Sequence, residues 1–137
     1  SRKLYDTKEL PAVRLLGKAL DTLQLSPDGR VAWIAIPRNM LLELGAKDEH
    51  AEGVIGFTRV LSTVEVGMLF REISPGRVKV GFRSKQFVDV NKLAAVFGGG
   101  GHARASGCIV EASLEEAIAR VVKTAQQFIE VVNERNN

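Results

Sequence analysis

Four consecutive glycines and a histidine, Gly98-Gly99-Gly100-Gly101-His102, set the hardest local constraint on how this chain can fold. Glycine loses more backbone freedom on folding than any other residue, roughly 0.5–1 kcal/mol each relative to alanine. Four together mark backbone that takes angles, or approaches a ligand, in ways a Cβ forbids. A helix C-cap followed by a tight turn accounts for one or two of them. The others favour ligand contact, because a run of bare N–H groups forms a concave anion receptor. Histidine adds a side chain that titrates near neutral pH.

The residues around this run alternate between two periodicities. Leu10, Val13, Leu16, Leu20 and Leu23 recur every three to four positions, which predicts an amphipathic helix over about 8–24 with Pro11 in its first turn. After the turn signal Ser26-Pro27-Asp28-Gly29, the apolar run Val31 to Ile36 predicts a short buried strand ended by Pro37. A helix-rich stretch follows from Asn39 to about Leu61. Val64, Val66, Met68 and Phe70, then Val78, Val80 and Phe82, alternate with other residues and predict a hairpin through Ser74-Pro75-Gly76. Both apolar sets share a face only if the connection holds an odd number of residues, which favours a three-residue loop with Gly76 left-handed. Asp89 caps a short helix over 90–97, Cys108-Ile109-Val110 reads as a brief strand, and Ser113 with Glu116 opens a long helix striped from Leu114 to Val132. Helices alternating with short strands give an α/β class: a small mixed β-sheet flanked by helices, with long N- and C-terminal amphipathic helices.

At 137 residues the chain fits a single domain, divided here into a leading helix (1–26) and an α/β core (27–137). No stretch reaches the roughly 20 apolar residues that span a bilayer, and no signal peptide opens the chain, so no membrane partner is expected. The single cysteine, Cys108, excludes an internal disulfide and suits a reducing cytoplasm. Ser1-Arg2-Lys3 opens the chain without an initiator methionine, and the expectation is a piece of a longer protein. The basic residues Arg71, Arg77, Lys79, Arg83, Lys85, Lys92 and Arg104 share a segment with only two acids, Glu72 and Asp89. That segment also holds the glycine run, which points to an anionic partner.

The known phosphate loops fit poorly. No Lys-Ser/Thr follows the glycines as a P-loop requires, and the formal G-x-G-x-x-A match of Gly98, Gly100 and Ala103 follows a helix instead of a strand. Arg77, Lys79, Arg83 and Lys85 share one strand parity, opposite the apolar face, together with Gly67 and Gly81, whose missing side chains leave room for a ligand or a facing domain. Arg83-Ser84-Lys85 puts a guanidinium and an ammonium beside a hydroxyl, a set that suits phosphate oxygens. His102 gains weight as a phosphate donor directly after the loop, and Arg104 adds charge or is simply solvated. No cluster of Asp and His has metal-ligand spacing, and no nucleophile has an evident base. The chain reads as a binding module and carries no catalytic residue of its own.

Val78-Lys79-Val80-Gly81-Phe82-Arg83-Ser84-Lys85, then Val88-Asp89-Val90-Asn91, the Gly98–His102 run and Ala105-Ser106-Gly107 resemble the DHHA1 domain. So do Val64 to Glu72 and Glu52-Gly53. This is the C-terminal half of DHH-family phosphoesterases, and the resemblance is strongest to the nanoRNase/pAp-phosphatase branch. It implies an N-terminal DHH domain, absent here, that carries a two-metal manganese centre and faces this domain across a cleft. It further implies a hydrolase acting as an exonuclease on short oligoribonucleotides, or on small nucleotide phosphoesters, with substrate contacts at Arg83, Ser84, the Gly99, Gly100 and Gly101 backbone and His102. Gly81-Phe82 and Ser106 depart from the usual family residues. DHHA1-like domains also close alanyl-tRNA synthetases, so the alternative is a tRNA-binding module without hydrolase activity, in which the final helix would build a homodimer.

Overall fold

The computed structural model describes residues 8–136. Its element order is α1 (Leu10–Leu20), β1 (Gln24–Leu25), β2 (Val31–Ile36), α2 (Arg38–Leu44), α3 (Asp48–Glu52), a 3-10 helix (Gly53–Arg59), β3 (Val66–Ser74), β4 (Arg77–Ser84), α4 (Val90–Ala95), β5 (Gly100–Gly101), β6 (Ala105–Val110) and α5 (Leu114–Asn136). The strands form one six-stranded sheet in the order β1-β2-β3-β4-β6-β5. Only β2 and β3 run parallel; the other neighbours are antiparallel. The expected mixed α/β architecture is therefore present. The leading helix is shorter than its stripe predicts, ending at Leu20, and Ser1-Arg2-Lys3 lie outside the described residues.

Each face of the sheet has its own core. On one face Val66, Met68 and Phe70 of β3 meet Val78, Val80 and Phe82 of β4, under Leu93 and Ala94 of α4 and the stripe Ala117, Val121, Val122, Ala125 and Ile129 of α5. Full burial of side chains such as Phe70 and Phe82 contributes about 1.5–3 kcal/mol each. On the other face Ile34, Ile36 and Leu69 pack against Leu15, Ala19, Leu41, Ala51, Val54 and Ile55 from α1, α2, α3 and the 3-10 helix. These helices lie over β2 and β3. On the same face of β4 and β6 the cover thins to the 3-10 helix, whose Ile55 reaches over Gly81 of β4, and this half-covered face positions the candidate site.

The hairpin corrects one expectation and keeps its logic. Ser74 pairs directly with Arg77, so the turn is two residues, Pro75-Gly76, with Gly76 at φ +76°. The odd residue is instead a bulge between Glu72 and Ser74. Turn and bulge together give the odd count that puts both apolar sets on one face. The sequence pattern also missed two short strands, β1 and β5. Two residues are too few to show alternation, and β5 consists of glycine alone.

Candidate functional site

Three rows of residues cross the open face. Gly67, Arg83 and Ala105 stand opposite one another on β3, β4 and β6; the next row is Leu69, Gly81 and Gly107; the third is Arg71, Lys79 and Ile109. Glu52 and Ile55, from α3 and the 3-10 helix, form the opposite wall of a cleft of about 310 Å³ lined by Leu69, Arg71, Lys79, Gly81, Arg83 and Gly107, among others. Its floor is nearly bare because Gly81 faces Gly107. A Cβ on Gly81 would come within 3.1 Å of Ile55 Cδ1, so a larger residue would narrow the cleft. The room expected at Gly67 does not exist for a ligand. The 3-10 helix seats Thr58 there, 1.8 Å from where a Cβ would stand.

The two ends of the cleft differ in charge balance. At one end Arg71, only 5% exposed, contacts Asp48 at 3.1 Å and Glu52 at 3.2 Å, and Lys79 Nζ lies 3.0 Å from Glu52. The hydrogen bond from Lys79 leads the causes that hold the Glu52 carboxyl below its ordinary value, assisted by the charges of Lys79 and Arg71. At the other end Arg83 donates one N–H to the Phe82 carbonyl at 2.9 Å and has no carboxylate partner among the described residues. A guanidinium carries five N–H donors, so most of its capacity is free.

Across the strand from Arg83 lies a polar scaffold built on the buried Ser84 and Glu65. Ser84 falls on the opposite parity and is 1% exposed; its hydroxyl donates to the Ala103 carbonyl at 3.2 Å and accepts from Arg104 Nη1 at 2.9 Å. Arg104 Nη1 also donates to the Val88 carbonyl at 2.6 Å. Glu65, 3% exposed, accepts the backbone N–H groups of Phe87 at 2.7 Å and Val88 at 2.9 Å through Oε2, with Gln86 N 3.2 Å from both oxygens. One carboxylate thus fixes the connection from β4 to α4, at the end where Arg83 stands. Lys85 Nζ is used nearby, donating to the Leu61 carbonyl at 2.8 Å.

The glycine run has structural reasons that its sequence did not reveal. Gly98 N–H bonds Ala95 O at 3.0 Å and Gly99 N–H bonds Ala94 O at 2.9 Å, with Gly98 at φ +81°: a Schellman cap on α4. Gly99 crosses β6 so closely that a Cβ would sit 2.1 Å from Gly107 O, and one on Gly101 would sit 2.7 Å from Ala105 O. Gly101 N–H bonds Asn91 Oδ1 at 2.9 Å and His102 N–H bonds Ala105 O at 2.7 Å. Those four N–H groups are taken internally. The expected anion nest is therefore not open in this conformation. Gly98, Gly99 and Gly100 instead line a shallower hollow of about 480 Å³ that shares Lys79 and Gly107 with the main cleft. His102 is exposed at the tip of the β5–β6 turn, and its ring makes no hydrogen bond among the described residues.

Of the residues singled out from sequence, the structure puts Arg83 in the main cleft, Gly99 and Gly100 in the adjoining hollow, and Gly101, His102 and Arg104 around the β5–β6 turn. Ser84 and Arg104 serve the packing beneath, with Ser84 turned away from the cleft. Sequence reasoning missed Arg71, Lys79 and Glu52 as one network and Glu65 as an anchor. The strand parity shared by Arg71, Lys79 and Arg83 was the available signal for part of this. Among the described residues no group of three or more His, Cys, Asp or Glu side chains is placed to hold a metal, so the residues present do not form a manganese centre. No described helix is long and apolar enough to cross a membrane.

Comparison with known proteins fits this geometry. The bifunctional oligoribonuclease and PAP phosphatase NrnA of Bacillus subtilis is 33% identical over 108 residues, covering 79% of this chain and 33% of the relative. Its Thermus thermophilus counterpart is 29% identical over 115 residues, covering 83% of this chain and 34% of the relative. The chain thus spans about a third of the length of the curated relatives it matches. An exopolyphosphatase-related protein from Bacteroides fragilis superposes with a TM-score of 0.79 at 27% identity, covering 93% of this chain and 36% of that one. A pGpG-specific phosphodiesterase, PggH from Vibrio cholerae, shares the fold at a TM-score of 0.56 and 11% identity, covering 89% of this chain and 40% of that one. The profile of the DHHA1 domain matches residues 38–131, which span the cleft, its scaffold and the glycine run, and the chain belongs to the DHHA1 family, as found in DHH-family phosphoesterases.

Proposed function

We propose that this domain holds the phosphate end of a short oligoribonucleotide or small nucleotide ester for a phosphodiesterase whose bond-breaking machinery lies on a separate DHH domain of the full protein. The observation that carries this reading is the unneutralised Arg83 guanidinium at the end of a bare-floored cleft. Similarity to the NrnA oligoribonucleases and PAP phosphatases supports the substrate class.

In this reading Arg83 takes phosphate oxygens bidentately, His102 approaches from the β5–β6 turn, and the Gly99–Gly101 backbone leaves room for the nucleotide. Ser84 and Arg104 hold Arg83 and the turn in place, and Lys85 adds positive potential beside them. Each charge-assisted hydrogen bond contributes about 1.5–3 kcal/mol. The contribution is positioning: a substrate fixed at its distal phosphate presents its scissile bond to the facing domain. The two manganese ions belong on that DHH domain, and the full protein is a cytoplasmic hydrolase; the chain alone has no turnover.

A tRNA-binding surface would need a broad field of free cations. Here Arg38, Arg71, Arg77 and Lys79 are all paired with carboxylates. The test is a titration of this chain, followed by backbone NMR, with adenosine 3′,5′-bisphosphate and separately with a tRNA. Shifts confined to residues 83–85 and 98–104 with the small ligand are expected. Their absence, or a response to tRNA alone, refutes the reading, as does phosphodiesterase turnover by this chain with manganese.

A further inference from the structure

The two carboxylate oxygens of Glu52 are used unequally. Oε2 takes Lys79 Nζ at 3.0 Å and Arg71 Nη2 at 3.2 Å, whereas Oε1 accepts no hydrogen bond among the described residues. Arg71 is itself buried and held by Asp48 at 3.1 Å, so the carboxylate is anchored on one side and open on the other. Lys79 above all holds this carboxyl below its ordinary value, and it is ionised at neutral pH. The Glu52 side chain is 55% exposed and lines the same cleft as Arg83. At its end two cations and two carboxylates cancel, which leaves no net pull on a second phosphate. An ionised carboxylate oxygen only accepts, so the open one fits a neutral donor group and repels an anionic one. Arg83 and Lys79 lie on one face of β4, roughly 13 Å apart along the strand, with the bare Gly81–Gly107 floor between them. The cleft volume of about 310 Å³ is at the small end of the range for ligand pockets, enough for one nucleotide unit.

We infer that Glu52 is a specificity-determining residue, accepting a hydrogen bond from the ribose 2′-hydroxyl of the nucleotide whose phosphate Arg83 holds. The inference rests on the function proposed above and adds to it a choice between ribonucleotides and deoxyribonucleotides. A nucleotide offers two kinds of neutral donor: the sugar hydroxyls, and the amino groups of adenine, guanine and cytosine. A substrate class of mixed sequence favours the sugar. Uracil has no amino group, whereas every ribose carries the 2′-hydroxyl by which a protein tells RNA from DNA. In this arrangement the sugar lies over the glycine floor, where no side chain stands in its way, with Ile55 as the apolar wall.

The test measures affinities for AMP, 2′-deoxy-AMP, UMP and 2′-deoxy-UMP, at pH 7.5 and fixed salt, by the chain and its Glu52→Ala and Arg83→Gln variants. A contact at the tip of an exposed side chain is read by affinity and not by backbone amide signals. The parent is expected to bind each ribonucleotide about fivefold or more tighter than its deoxy form, as for one hydrogen bond to a charged acceptor. In Glu52→Ala both ratios fall below about twofold, while the deoxynucleotides bind no more weakly, because Lys79 is released. Arg83→Gln weakens all four ligands and keeps the ratios. Parent ratios near one, or ratios unaltered in Glu52→Ala, overturn the Glu52 inference. So does a preference for both adenine nucleotides over both uracil ones that Glu52→Ala abolishes, which assigns the oxygen to a base amino group. Each of these leaves the proposed function standing while Arg83→Gln weakens binding. Failure of the parent to bind any of the four, or affinities untouched by Arg83→Gln, overturns both.

Discussion

Arg71 and Arg83 stand on the same face of neighbouring strands, two rows apart, and their surroundings differ in kind. Arg71 is buried under the helical layer, where Asp48 and Glu52 answer it and Glu52 also takes Lys79. Arg83 has no carboxylate partner among the described residues, and the polar groups of Ser84 and Arg104 on the other side of the strand are satisfied among themselves. The difference teaches that a basic segment is not uniformly a binding surface. A cation buried with its own carboxylates is part of the architecture, since a buried charge left with no partner at all is costly. A cation held in place without a carboxylate keeps its field for a ligand.

The largest effect is expected from the scaffold under the unpaired end. Glu65→Ala would leave the N–H groups of Gln86, Phe87 and Val88 without their acceptor and should cost about 3 kcal/mol or more in urea denaturation. A loss below about 1 kcal/mol would show that this connection is not held as described. Next comes the direct contrast between the two ends. Arg83→Gln should weaken binding of adenosine 3′,5′-bisphosphate by about tenfold or more, the loss of one charge-assisted contact. Lys79→Gln, which removes a cation already answered by Glu52, should change it by less than about threefold. Equal losses would erase the distinction.

Within the glycine run, Gly99→Ala should cost about 1–3 kcal/mol of stability, because its Cβ would meet Gly107 O at 2.1 Å. Gly100→Ala, with its nearest contact Asn91 Oδ1 at 3.3 Å, should cost clearly less. Thermal melts of the two variants check this. The smallest effect belongs to the paired end. Glu52→Gln should alter stability by no more than about 0.5 kcal/mol, because Glu52 is exposed and the buried Arg71 keeps Asp48 at 3.1 Å. It should also raise anion affinity about twofold by releasing Lys79. Acid should reproduce that release. With the Glu52 carboxyl held below its ordinary 4.5, its pairing is intact above that pH and is lost as pH falls through the depressed value. Affinity that rises already between pH 7 and pH 5 would assign the effect to another group.

The elements with strong periodicity were legible from sequence alone: the buried strand over 31–36, the hairpin and the long final helix with its Ser113 cap. Arg83 was legible too, through strand parity. The glycine run was only half legible. Its four residues announced unusual backbone, but close passage over β6 and a helix cap produce the same letters as a phosphate nest. Only the positions of Gly107 O and Ala105 O tell them apart. Ser84 was misplaced because its neighbour faces the cleft while it alternates to the other side. Glu65 left no sequence signal, because it acts through partners far along the chain, the backbone at 86–88.

The central claim is that the unneutralised end of this face is the one that takes phosphate. The most direct measurement follows the arginine Nε–Hε signals of Arg71 and Arg83 by ¹H–¹⁵N NMR while adenosine 3′,5′-bisphosphate is added. The account predicts that the Arg83 signal moves and sharpens while Arg71 stays fixed. Movement of Arg71 with Arg83 unchanged would contradict it.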